Sequence, residues 1–404
     1  SRQLDVLGLD RPSGALVGAV AMVVVGGLGF DDAMAALDLP VLTLLFAMLV
    51  IAAYLDDAKF FRYSAYLVLT RARSARSLLW GLTFTAGAMS ALLLNDTVCL
   101  LLTPLVVAVA VEARLPVLPY LLALASASNL GGVVSWSGNP QNMIIGRAAA
   151  GEPGFAAYLA QMLPIGVACL AGNAAVLVWM FRKQLPTGPL VERAPPRPAF
   201  DRVLTAKGLA ALALFLGLAL GGHPLPGSAL AAAALLIVTA RVPPRRIFER
   251  VDWSILVFFA GLFVVVAGLR ATGAIERAFV WLEPVLTRGG LAGDGAFVGL
   301  VTVGSNLMSN VPFVVIAVDW VPRLPDPTWG YVMLAVTSTL AGNLTLLGSA
   351  ANVIVLETAG PRGEIGFWKF ARYGAVLTIV SLVIAFAMLA AERAVGYAGW
   401  LGIG

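Results

Sequence analysis

Between Arg76 and Glu112 one carboxylate, Asp96, lies in an otherwise apolar run, flanked by Asn95 and Thr97. An amide, an acid and a hydroxyl therefore stand side by side among leucines and valines. A charged side chain at the centre of a bilayer costs about 2.5 to 3.5 kcal/mol on insertion scales, so an intramembrane acid serves a purpose or lines a water-filled cavity. Withdrawal from water favours the neutral form of a carboxyl group, and a group tuned in this way could load and release protons. Asp96 is thus the candidate proton carrier. The plainer alternative stays open: next to Asn and Thr, it caps a helix start by accepting backbone N–H bonds.

A second polar island, Ser309-Asn310-Val311-Pro312, repeats the amide of Asn95 without the acid. The two tips are expected to face each other across the centre. A primary amide both donates and accepts hydrogen bonds without net charge, which suits a neutral polyhydroxylated solute better than a dianion. Thr97, Asn129, Asn139, Asn142, Ser309, Asn343, Thr345 and Asn352 complete the candidate solute-binding set with Asn95 and Asn310. Ser135 and Ser349 would add to the cavity, and some of these residues would only bond the backbone of broken helices. Carbonyls freed near Ser128, Gly132, Ser338 and Gly342 form a candidate cation site. Cys99 is read as a packed core thiol, because free cysteine is commonly buried and one sulfur alone does not build a thiolate site. His223 reads as a loop residue, and Arg270 and Asp319 as anchors at the membrane edge.

The elements that must position these residues follow from composition. The chain has 404 residues, 60% hydrophobic and 12% charged, with a mean hydropathy of +0.90. A soluble protein carries about twice that charge fraction. Uncharged runs at 14–30, 39–55, 115–146, 153–181, 208–240, 253–269, 327–356 and 373–391 include several that exceed the roughly 18 to 20 residues of a transmembrane helix. The reading is an all-α polytopic membrane protein of the bacterial inner (plasma) membrane. The first run has no cleavage site of the signal-peptide kind after it. The net charge of +5 falls in a few loops, as the positive-inside rule predicts, so nucleic acid is excluded as a partner. The same rule places the N-terminus in the cytoplasm. Two cysteines in apolar runs supply neither a disulfide framework nor a thiolate metal cluster. No metal or other cofactor is expected.

Along the chain, residues 1–38 hold an N-terminal span and an outer loop. A first repeat spans 39–181, with a re-entrant hairpin at 77–112 and a broken helix at 115–147. A basic, proline-rich linker, 182–207, contains Arg182, Lys183, Pro189, Arg193, Pro195 and Pro196. A connecting span pair occupies 208–240, and a second repeat covers 241–404, with a hairpin at 295–320 and a broken helix at 328–357. The hairpin arms 78–94 and 98–111 are expected to meet at Asn95-Asp96-Thr97. Gly138-Asn-Pro-Gln-Asn142 lines up with Gly348-Ser-Ala-Ala-Asn352. Loop charges open the two hairpins to opposite sides. Inverted repeats with broken helices point to a secondary transporter with its site at mid-membrane. No phosphate-binding loop is present, so ATP drive from this chain and an enzymatic role are not expected.

The residues Leu94-Asn95-Asp96-Thr97, Ala123 to Asn142, Ser309-Asn310-Val311-Pro312 and Ala341 to Asn352 resemble the ion-transporter superfamily. Within it the chain is most similar to the ArsB-like arsenite/antimonite efflux permeases, a branch that includes plant silicon efflux transporters. The likeness runs from about residue 40 to the C-terminus. Sodium-coupled dicarboxylate carriers of the superfamily carry Ser-Asn-Thr at both tips. Here the tips read Leu94-Asn95-Asp96 and Ser309-Asn310-Val311, a departure that argues against two-site sodium symport. The resemblance implies proton-coupled efflux of a small neutral metalloid hydroxide, arsenite, antimonite or silicic acid, by alternating access. A sodium/proton antiporter and a sodium-coupled dicarboxylate or inorganic anion transporter are the alternatives. It also implies a homodimer, and some permeases of this branch work with an ATPase subunit.

Overall fold

The computed structural model describes residues 10–188 and 197–395, all helices and connecting loops. Of the linker residues singled out above, Pro189, Arg193, Pro195 and Pro196 lie outside the described residues. Four helices open the chain: α1 (Arg11–Val24), α2 (Phe30–Ala35), α3 (Leu39–Asp57) and α4 (Phe60–Arg71). The hairpin arms are α5 (Ala75–Leu92) and α6 (Asn95–Glu112), and the broken helix is α7 (Val117–Gly132) with α8 (Pro140–Ala148). Then come α9 (Phe155–Met180), α10 (Arg202–Leu220), α11 (Leu225–Ala240) and the short α12 (Pro244–Phe248). The second series is α13 (Trp253–Ala271), α14 (Ala274–Leu286), the hairpin α15 (Gly290–Met308) and α16 (Asn310–Ala317), the broken pair α17 (Pro327–Ala341) and α18 (Ala350–Ala359), and α19 (Phe367–Ala394). The helices α3 to α9 thus recur in kind and order as α13 to α19: span, edge helix, hairpin, broken helix, span.

Among the described residues, length and apolarity alone select seven helices able to cross a membrane, and two of these, α6 and α15, are hairpin arms. An arm of 18 residues is about 27 Å long at 1.5 Å per residue, close to the thickness of the hydrocarbon core. It is the turn at its end, and the backbone it meets there, that makes it re-entrant.

The helix starts separate by depth. α1, α3, α10, α13 and α17 begin at the polar ends of the bundle, and each is capped by an aspartate: Asp10, Asp38, Asp201, Asp252 and Asp326 accept backbone N–H bonds. Carboxylate caps suit the positive end of a helix where water supports the charge. In the middle of the bundle the starts are neutral. Leu94 precedes α6, Asn139 precedes α8 and Ser349 precedes α18. A charge there would be as expensive as Asp96 itself.

The first hairpin turns at Leu93-Leu94, not at Asn95-Asp96-Thr97 as the apolar arms suggested. The amide N–H of Asn95 donates to the Gly138 carbonyl in the break between α7 and α8, at 3.1 Å. That bond satisfies a helix-start donor with backbone and leaves the three polar side chains in the first turn of α6. The second hairpin turns at Ser309, whose φ of +71° and ψ of 155° place an L-residue in a region that glycine normally occupies; such a conformation costs about 1 to 3 kcal/mol. Pro312 does not break the chain, because it falls in the first turn of α16, where a missing N–H is harmless.

The contacts divide the helices into two layers. α1, α3 and α10 to α13 pack on one another, and α5 to α9 pack with α15 to α19. In the second layer the repeats interlock: α6 lies on α18, α16 lies on α8, and α9 crosses α19. Backbones come very close there. A Cβ on Gly131 of α7 would stand 2.0 Å from the Gly87 carbonyl oxygen of α5. The edge helices α4 and α14 join the layers. On the end that carries most of the basic loops, Asp57 at the close of α3 is nearly buried and faces Arg246 at 2.7 Å and Arg250 at 3.3 Å. At the opposite end Arg270 grips Asp319 through two bonds of 2.6 and 2.9 Å, and reaches the Val315 carbonyl.

Candidate functional site

Where the two broken helices cross, the break of each repeat is held by one asparagine. Asn142 Nδ2 donates to the carbonyls of Gly132 (3.2 Å) and Ser135 (3.0 Å). Asn352 Nδ2 donates to those of Gly342 (2.7 Å) and Thr345 (2.9 Å). These are equivalent positions of the two repeats. Each side chain takes up carbonyls that helix termination would leave unpaired, in surroundings where lipid can offer no partner. Gly132 and Gly342, half of the candidate cation site, therefore already accept bonds from the protein. Ser128 Oγ bonds the Ala125 carbonyl and meets Cys99 Sγ at 2.9 Å, while Ser338 Oγ turns to the Ala335 carbonyl. The four residues of that cation site do not converge on one another through these bonds.

The two breaks are then joined to each other by a second set of contacts. Ser349 Oγ donates to Asn129 Oδ1 at 3.1 Å, and in the pseudo-symmetric position Asn139 Nδ2 donates to Thr339 Oγ1 at 3.3 Å. Each is a residue at the start of one second half-helix reaching the last turns of the other repeat's first half-helix. Asn129 is the hub. Its Oδ1 also accepts from Asn95 Nδ2 at 3.0 Å, and its Nδ2 donates to Asn343 Oδ1 at 2.8 Å. Hairpin, first break and second break thus meet on one amide, which is wholly buried. Gln141 Nε2 adds a second bond to Thr339, and Asn139 Oδ1 caps α8 through the Asn142 N–H at 2.7 Å.

Not every hydrogen-bonding atom of this hub has a partner. Asn95 Oδ1, Thr97 Oγ1, Asn343 Nδ2, Asn142 Oδ1 and Asn352 Oδ1 are buried without one. A buried donor or acceptor left unmade costs about 1 to 3 kcal/mol, so these atoms remain open to a polar partner. Asn343 offers a donor; Asn95, Asn142 and Asn352 offer acceptors. No lysine or arginine belongs to the hub.

Asp96 stands in the first turn of α6, one residue beyond Asn95, half-buried, and it makes no hydrogen bond among the described residues. The cap reading of Asp96 is thus not what the structure displays, since Leu94 holds the cap position without a side-chain bond. Its position still favours negative charge through the helix start.

The other expected residues are placed as follows. Asn310 is buried, but it bonds only the Val311 N–H and makes no bond to Asn95, so the tips do not join directly. Ser309 forms the strained turn. Thr345 caps a 3-10 turn at Leu346–Gly348 and donates to Asn306 Oδ1 at 2.9 Å. Cys99 is fully buried, as a core thiol should be. Sequence reasoning missed four members: Thr339, Gln141, Asn306, which bonds the Ala341 carbonyl, and Tyr158, whose hydroxyl donates to the Val133 carbonyl at 2.8 Å. Thr339 could have been found, because the register that pairs Asn142 with Asn352 pairs Asn129 with Thr339.

Comparison with known proteins supplies a frame for this geometry. Residues 4–326 match the citrate transporter family, CitMHS. The chain is similar to the silicon efflux transporter LSI3 of Oryza sativa subsp. japonica, with 30% identity over 95% of this chain and 93% of the relative. It is equally similar, at 30%, to a 46 kDa membrane protein of Mycobacterium leprae, covering 93% of this chain and 92% of that one. A Dictyostelium discoideum protein bearing the name arsB is 25% identical over 94% of this chain and 87% of its own. Among solved structures, the Alcanivorax borkumensis YdaH transporter, described as having an unusual topology, superposes with a TM-score of 0.57 at 18% identity, over 88% of this chain and 85% of that one.

Proposed function

The chain belongs to the citrate transporter family and is a multi-pass membrane transporter, and from that premise we propose that it exports a small neutral metalloid hydroxide in exchange for protons. The observation that carries this reading is the hub itself: buried amides and hydroxyls with an unpaired donor on Asn343 and unpaired acceptors on Asn95, Asn142 and Asn352, and no cationic side chain among them. Such a lining matches the hydroxyls of silicic or arsenous acid, each of which donates and accepts. A citrate trianion would need compensating charge that the hub does not provide. The relative named for silicon efflux supports the same choice.

Asp96 is the coupling group in this scheme. It lies beside the hub but outside its hydrogen-bond network, so its protonation can change while the amides remain in place. In the neutral state it removes an intramembrane charge; in the ionised state it carries one at the start of α6. Alternation between these states, each tied to access from one side, would exchange protons for solute. In this reading the basic end, and with it the start of α1, faces the cytoplasm of a bacterial inner membrane, as the positive-inside rule would have it.

Sodium coupling is the competing reading, and proteoliposomes decide between them. A pH gradient should drive silicic or arsenous acid movement without sodium. Asp96→Asn should abolish the driven flux by more than about tenfold while leaving gradient-free solute exchange measurable, since the hub is untouched. Normal pH-driven flux in Asp96→Asn would overturn the coupling role. Citrate transport, or strict sodium dependence with no metalloid flux, would overturn the substrate.

A further inference from the structure

At the end of the bundle opposite the basic loops, a cavity of about 550 Å3 opens between the two layers. One wall is the start of α3 and the turn between α10 and α11, and the other is α8 with the loop that leads into α9. Its floor is apolar, with Leu44, Met143, Phe155 and Leu225. Two polar side chains line it, Arg147 and His223, the latter being the sole histidine of the sequence. The transport hub uses neither.

Arg147 makes no hydrogen bond to a carboxylate, in contrast to three other arginines of that end. Arg270, Arg323 and Arg393 bond carboxylates at 2.6 to 3.0 Å. Arg147 stands 4.0 Å from Asp38, beyond hydrogen-bond reach, with a side chain 59% exposed. Asp38 in turn is committed to the Val41 N–H as the cap of α3. The guanidinium therefore keeps a planar fork of donors available at the mouth of an apolar chamber. A fork of this kind matches phosphate and carboxylate oxygens, and the chamber matches a hydrocarbon chain.

We propose that this cavity binds an anionic phospholipid of the adjoining leaflet, its phosphate on Arg147 and His223 and an acyl chain along Leu44, Met143 and Phe155. The charge argues for an anionic head group, and the apolar floor argues for a lipid over a soluble anion. The cavity also touches Trp136, whose ring stacks on Tyr158 at 3.6 Å, and Tyr158 holds the Val133 carbonyl in the first break. A lipid seated there rests against the back of the transport hub and bridges the two layers.

Native mass spectrometry of the purified full chain, titrated with phosphatidylglycerol or phosphatidylcholine, tests the assignment. Phosphatidylglycerol should bind more tightly, and Arg147→Ala should weaken it by about tenfold or more, the loss expected for a charge-assisted hydrogen bond. Leu225→Trp, at a half-buried lining position, fills the chamber and should reduce binding of both lipids with the guanidinium intact. Thermal unfolding of both variants checks that they are folded. Equal binding of the two lipids, or undiminished binding in Arg147→Ala, would overturn the proposal. So would displacement of the lipid by inorganic phosphate at equal concentration, which would identify a soluble anion as the ligand.

Discussion

Substitution of Asn129 by alanine removes three buried hydrogen bonds at once: those with Asn95, Ser349 and Asn343. Hydrogen bonds between membrane helices average about 0.6 kcal/mol by double-mutant cycles, with a maximum near 1.7. On that scale the three sum to about 2 kcal/mol. The soluble-protein scale, in which each orphaned buried partner costs about 1 to 3 kcal/mol, would give about 3 to 9 kcal/mol. The lower figure is preferred here because Asn343 Nδ2 and Asn95 Oδ1 are already unpaired, so these amides can turn and recover part of the loss. The cleaner quantity is the coupling between Asn129 and Asn343, whose 2.8 Å bond joins the two repeats. Reversible unfolding in mixed micelles of Asn129→Ala, Asn343→Ala and the double variant should give a coupling of about 0.6 to 1.7 kcal/mol. Thr70→Ala, at an exposed site on α4, paired with Asn129→Ala, should give none beyond about 0.3 to 0.5 kcal/mol. Strict additivity of the Asn129 and Asn343 losses would refute the claim that the hub ties the repeats together.

Two further outcomes follow from the packing. Gly138→Ala puts a Cβ 2.5 Å from the Gly132 carbonyl oxygen, and Gly348→Ala puts one 2.5 Å from Asn306 Oδ1; each should lower stability by about 1 to 3 kcal/mol and transport with it, whereas Gly217→Ala, which meets nothing within 4 Å in α10, should be neutral or raise the melting temperature. Cys99 and Cys169 are both almost wholly buried, so a maleimide should label neither until the protein is unfolded; rapid labelling of Cys99 in the native state would mean that the α6–α7 contact opens.

Much of this architecture was legible in the sequence, for physical reasons that differ by element. The spans and the repeat announced themselves because lipid excludes charge, which leaves long uncharged runs, and because broken helices need amides and glycines in the same order twice. Asn142 and Asn352 were visible as a matched pair, but their task was not. Only the fold shows that both are spent on backbone carbonyls of the breaks. The turn at Leu93-Leu94 was hidden because its stabilising partner, the Gly138 carbonyl, lies in another element. Thr339 was legible only through the repeat register that makes it equivalent to Asn129, because a threonine in an apolar helix carries no signal by itself.

The close approach of Gly131 to Gly87 has a mechanical consequence. Two helices whose backbones touch with no side chain between them have no compliant layer, so α5 and α7 form one rigid plate. Rigidity concentrates deformation elsewhere. The seam between that plate and the layer of α3, α10 and α11 is lined by soft, replaceable contacts and by open volume. A relative movement of the two layers that kept the amide hub intact would be taken up along it.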